Sequence, residues 1–106
     1  LEKIDRYRSE MTKFFGPYDV IISPIAPFTA MKHEVSLDQP YVNGLFSYNQ
    51  PYNIAGWPLV AVPVAISSEG LPIGVQVISK PWREDVALAV ATFLEQHFGG
   101  WIRPPI

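Results

Sequence analysis

At 106 residues the chain suits one domain, and its formal net charge of -2 gives no pull toward nucleic acid or an anionic membrane surface. Zero cysteines exclude a disulfide scaffold and a thiolate metal site. No apolar run approaches a membrane span, and Leu1 followed by charged residues reads as neither a natural start nor a signal peptide, so a cytoplasmic setting is expected.

The first predicted element is a helix over residues 1 to 15. Ile4, Tyr7, Met11 and Phe14 recur at three- and four-residue steps as one apolar stripe, with charged residues filling the other face. Gly16 and Pro17 stop it. Val20, Ile21 and Ile22 form a short apolar run, the mark of a buried strand, and Pro24 and Pro27 end it. Residues 28 to 45 are rich in loop-forming types and read as irregular. A short buried helix is expected within 46 to 55, interrupted by Pro51.

Residues 59 to 66 and 73 to 79 are rich in Val and Ile and read as two strands of an antiparallel hairpin. The polar link carries Gly70, which is free to take a positive φ. Pro63 cannot donate to a ladder, so it implies a bulge or an edge. Residues 83 to 98 read as a closing helix, apolar nearly all round, which predicts burial on more than one side. Glu84 and Asp85 suit its N-terminal end and His97 its C-terminal end, and Gly99 and Gly100 terminate it. Helical and strand patterns together define an α/β class, ordered helix, strand, loop, hairpin, helix.

Charge is distributed unevenly. Between Asp38 and Lys80 the only charged residue is Glu69. A domain this small leaves roughly a third or more of its chain surface in water. A stretch holding Leu45, Phe46, Tyr48, Tyr52, Ile54 and Trp57 is too apolar for free surface. The expectation is that it packs inside something larger; the alternative is a small domain with a permanent partner.

The residues offer little chemistry of their own. His33 and His97 lie far apart, and a Ser23, His33, Asp19 set is an accident of composition. No ligand cluster has metal-binding spacing, and no glycine-rich phosphate loop precedes a helix, so no metal and no cofactor are expected. Ser67 and Ser68 read as turn residues. No basic and aromatic interleaving points to single-stranded nucleic acid.

Several segments, in one order, resemble the C-terminal part of amidase signature enzymes. Tyr18 to Pro24, followed by Ala26-Pro27-Phe28-Thr29-Ala30, is similar to the family strand that enters the substrate side. Asn53-Ile54-Ala55-Gly56-Trp57-Pro58 resembles the family turn before a core strand, whose end is matched by Val62-Pro63. Gly70-Leu71-Pro72-Ile73-Gly74-Val75-Gln76-Val77-Ile78 resembles the family hairpin strand, and the closing helix with Leu88, Ala91, Leu94 and Glu95 is similar too. The resemblance implies a mixed-sheet α/β/α fold, of which residues 1–106 form a C-terminal fragment rather than a complete catalytic domain.

The resemblance also implies a chemistry. In the family a lysine and a bridging serine activate a nucleophilic serine, which attacks an amide carbonyl while backbone N–H groups hold the oxyanion. An amine or ammonia leaves, and water releases the acid. The glycine- and serine-rich segment required is not in this chain, and Lys3, Lys13, Lys32 and Lys80 lack the matching context. No catalytic residue is therefore assigned, and the chain alone is expected to be inactive. The remainder of an amidase chain is its expected partner, with self-association if isolated.

A contribution to substrate binding is still expected where the first strand ends, at Ile25, Phe28 and Thr29. The segment from Leu45 to Tyr48 is a second candidate. Family members acting in tRNA-dependent amidation tend to carry an acidic residue seven positions before the asparagine, where this chain has Phe46. That departure points to an apolar or aromatic amide; the alternative is that Phe46 is core. Gly74 opposite a packed element permits close backbone approach, and Gln76, alternating with Val75 and Val77, either points to the other face or satisfies a buried backbone group; fold support is the reading for Gln76 and Asn53. A competing reading of the whole chain is a stand-alone interaction domain whose prolines serve recognition, although they are dispersed and form no repeated tract.

Overall fold

A computed structural model describes residues 1–30 and 47–105. Its elements run α1 (Glu2–Phe15), β1 (Val20–Pro24), α2 (Gln50–Ala55), β2 (Leu59–Ile66), β3 (Pro72–Ser79) and α3 (Glu84–Phe98). The three strands form one sheet in the order β1-β3-β2, with both pairings antiparallel. The expected α/β class and hairpin are present.

Strand alternation sorts the sheet into two faces. Ile78 joins Phe15, Ala55 and Trp57 in a core on the α1 and α2 side, with Tyr7, Met11, Ile21 and Tyr52 packed against it. Val77 and Val62 join Ala87 and Ala91 of α3 on the opposite side. The Phe15 and Trp57 rings meet edge to face at 5.0 Å, a favoured aromatic geometry. Lys80 closes this corner, donating from Nζ to the Gly16 carbonyl at 3.0 Å while lying over the Phe15 ring.

Four local expectations are revised. The buried stripe of α1 is Tyr7, Met11 and Phe15, a run of four-residue steps, whereas Phe14 is 70% exposed because it lies about 100° round the helix from Phe15. Strand β1 ends at Pro24 as expected but is not a buried strand: it is an edge of the sheet, none of its residues is fully buried, and Ile22 is 50% exposed. Pro51 does not interrupt α2 but sits in its first turn, where a missing N–H costs nothing. Helix α3 buries Ala87 and Ala91 on the sheet, while Leu88 and Phe93 on its other side stand exposed.

The β2–β3 register shifts between Pro63 and Ala65, the irregularity expected of Pro63, and β2 is an edge of the sheet. At the hairpin turn the Ser67 hydroxyl accepts from the Glu69 and Leu71 N–H groups, so it serves the turn. Gly70 takes φ 84° there.

Candidate functional site

Strand β1 delivers the chain to a concavity of about 340 Å³. One wall is the loop leaving the strand, with Ile25, Phe28 and Thr29; the other is the start of β3, with Pro72, Ile73 and Gly74. Three of the four residues expected from sequence to contact substrate therefore share one wall. Phe46, the fourth, lies outside the described residues, as do Leu45 and His33.

Gly74 explains how the walls come so close. A Cβ built on it would lie 3.0 Å from Ile25 Cδ1 and 3.1 Å from the Val62 carbonyl oxygen. Both are tighter than ordinary van der Waals contact, so the absence of a side chain lets Ile25 lie over the strand. The lining side chains are apolar apart from the Thr29 hydroxyl, and backbone groups contribute the rest of the polar surface.

One step inward on the same face lies the cross-strand pair Ser23 and Gln76. The Gln76 side chain is 1% exposed. Its Nε2 donates to Ser23 Oγ and to the Tyr48 carbonyl, both at 2.7 Å. Ser23 Oγ in turn donates to the Pro24 carbonyl at 3.1 Å. Ser23 is thus a linking group between two strands, with no histidine or aspartate placed on it among these contacts. Asn53 is exposed within α2, and its backbone carbonyl accepts the Gly56 N–H where the helix ends.

A larger concavity, about 690 Å³, opens between α1, the outer edge of β2 and the start of α3, with Arg8, Trp57, Leu59, Trp82, Glu84 and Leu88 on its walls. Arg8 is committed there to the fold, donating from Nε to the Ile54 carbonyl at 3.1 Å. At the start of α3, Arg83 holds the Asp85 carboxyl below the usual carboxylate range by hydrogen bonding, with the pair exposed to solvent. Burial, and then the nearby Tyr52, push the Tyr7 phenol above its ordinary value. Among the described residues no group of three or more acidic, histidine or cysteine side chains converges to hold a metal ion. No helix among them is long and apolar enough to cross a membrane.

The close approach expected at Gly74 and the buried backbone group expected as one alternative for Gln76 are both present, but sequence reasoning did not foresee that Pro72–Gly74 form the second wall or that Tyr48 supplies the carbonyl. A glycine within a Val- and Ile-rich strand was the available signal for the first. The second joins residues 28 apart in sequence and leaves no local pattern.

A proline-terminated strand, a glycine-cradled concavity and a Gly-Leu-Pro-led hairpin are thus assembled into one piece of fold, and its relatives are consistent. The amidase family model matches residues 1–88, so the chain belongs to the amidase family. Human fatty-acid amide hydrolase 2 is 36% identical over 97 residues, covering 92% of this chain and 18% of that protein. A glutamyl-tRNA(Gln) amidotransferase subunit of an Exiguobacterium strain is 37% identical, covering 93% and 21%. The crystal structure of the Thermotoga maritima glutamyl-tRNA(Gln) amidotransferase subunit superposes with a TM-score of 0.78 at 30% identity, covering 88% of this chain and 20% of that one. A 6-aminohexanoate cyclic dimer hydrolase shares the fold, with a TM-score of 0.80 at 24% identity. The chain spans about a fifth of the length of the curated relatives it matches.

Proposed function

We propose that these residues form the C-terminal part of a larger amidase domain, a serine hydrolase that converts a carboxamide to an acid plus ammonia or an amine. The nucleophilic serine, its bridging serine and the lysine lie in the rest of that domain. The observation that carries this reading is the family match over 1–88 combined with the small share of each relative that the chain covers. Exposed apolar side chains add physical support: Trp82 and Trp101, with Phe93 on the outer side of α3, are surface that a larger domain would cover. The rest of the amidase domain is accordingly the partner, self-association is expected of the isolated piece, and a cytoplasmic setting is retained.

Within that domain, Ile25, Phe28, Thr29 and Phe46 contribute wall to an apolar substrate region. The lining of the concavity by Ile25, Pro27, Phe28 and Ile73 favours an acyl or aryl amide over an amino-acid amide. The similarity to enzymes named fatty-acid amide hydrolases points the same way, while the similarity to amidotransferase subunits supplies the contrast to be tested. The experiment presents the longer polypeptide carrying these residues with fatty-acyl, aryl and glutamine amides. Turnover of the first two classes supports the reading; turnover of glutamine alone overturns the substrate class; no turnover of any amide overturns the activity.

A further inference from the structure

Two polar residues are buried among the described residues, Ser79 and Gln76. Ser79 donates to the next carbonyl along, at Lys80. Gln76 reaches across three segments. Its two amide N–H groups are both used, one on Ser23 in β1 and one on the Tyr48 carbonyl in the turn that enters α2. A carbonyl can only accept, so the atom of Gln76 facing Tyr48 is the nitrogen. The Tyr48 carbonyl precedes the helix, whose first accepting carbonyl is that of Asn49, bonded by the Asn53 N–H. The contact with Gln76 therefore gives Tyr48 a partner that the helix does not.

The place of this contact matters. Ser23 faces Gln76 across the β1–β3 pair, and one step along the same face Ile25 lies against Gly74 at the concavity. The bond that holds the turn at Tyr48 to the sheet is thus anchored two residues along β3 from the Gly74 that the wall is built on. An apolar side chain of similar volume would fill the same space and leave both acceptors without this donor.

We propose that Gln76 is a positioning residue for substrate selection: by holding Ser23 and Tyr48 together it sets the Ile25–Gly74 wall that receives the apolar part of an amide substrate. This rests on the amide-hydrolase reading above. Gln76 touches no reacting atom, so its removal acts on KM and on chain-length preference rather than on kcat. Gln76→Leu loses both of these hydrogen bonds, and a tenfold change in KM, about 1.4 kcal/mol, lies within what two such bonds contribute.

The test uses the longer polypeptide carrying Gln76→Leu or Gln76→Glu, with amides of increasing acyl length as probes. Gln76→Leu is expected to raise KM for the long apolar amides about tenfold, to leave kcat unchanged and to spare short amides. It should also speed hydrogen exchange at the Asn53, Gly56 and Trp57 amides, which are bonded within and just after α2. Gln76→Glu places a carboxyl where burial favours the neutral acid, which can donate to Tyr48; low KM should return as pH falls. An unchanged chain-length preference in a folded Gln76→Leu protein overturns the proposal, as does an equal fall in kcat on every amide. If Gln76→Leu does not fold, the Gln76→Glu profile decides, and a flat KM against pH overturns it. If the wild-type protein cleaves no amide, the functional reading has failed and selection by Gln76 fails with it; exchange at the three amides then separates a surviving structural contact from none.

Discussion

Adding one methyl group at Gly74 tests the link between the fold and the concavity. In Gly74→Ala the new Cβ would lie 3.0 Å from Ile25 Cδ1 and 3.1 Å from the Val62 carbonyl oxygen. The first neighbour is the end of a side chain and can move; the second is backbone beside the β2 irregularity and moves only with the strand. Overpacking of this kind costs about 1–3 kcal/mol. Ile25→Val deletes the Cδ1 methyl itself and, at a half-buried site, costs about 0.5 kcal/mol. If Cδ1 carries part of the clash, the double variant is more stable than the sum of the single effects by about 1 kcal/mol. Urea unfolding followed by tryptophan fluorescence measures this, because Trp57 is buried against Phe15 whereas Trp82 and Trp101 already stand in water. With a slope of about 1–3 kcal/mol per molar, the coupling moves the midpoint by about 0.3–1 M. Gly70→Ala is the control: it has φ 84° and no atom within 4 Å of the new carbon, so its cost is backbone strain that Ile25→Val cannot relieve. Additivity of Gly74→Ala with Ile25→Val would refute the packing argument.

Other outcomes follow from the same contacts. Phe15→Ala removes the centre of the α1-side core and should cost about 3–5 kcal/mol, read as a fall in urea midpoint at constant slope. Tyr7 should ionise above the ordinary phenol value when absorbance is followed at alkaline pH; a raised folded value means its contribution is complete below the unfolded phenol value and is lost as pH rises through the folded one. Tyr7→Phe should remove that part of the alkaline instability. For Asp85 the sign is opposite: its lowered folded value gives stability that is present above the unfolded carboxylate value, about pH 4, and is lost as pH falls through the folded one. Asp85→Asn should therefore lower the melting temperature slightly at neutral pH and low salt, with the difference vanishing in acid or at high salt.

Local pattern revealed most of the elements because the physics there is local. The Val- and Ile-rich runs at 59–66 and 73–79 could only be strands, and Pro63 announced the irregularity that the register contains. Pro51 was harder, since proline reads equally as a helix breaker or as a first-turn residue, and the choice depends on where Asn49 caps the helix. The stripe of α1 slipped from Phe14 to Phe15 because steps of three and four both satisfy an apolar pattern, and only the position of Trp57 decides between them. At the concavity, Ile25, Phe28 and Thr29 were readable as residues leaving a strand, but the opposing wall at Pro72–Gly74 depends on strand order. The hold of Gln76 on Tyr48 depends on the return of the chain 28 residues away and had no signature in sequence beyond a polar residue between valines.

If these residues support an amidase whose nucleophile lies elsewhere in its chain, amide hydrolysis belongs to the longer polypeptide and not to this piece of it. Turnover by the isolated 106 residues, measured beside the longer polypeptide at equal concentration, decides the matter. The longer polypeptide should turn amides over and the isolated residues should not. Turnover by the isolated residues that is abolished by substituting one of their own serines, Ser23 first among them, would contradict this.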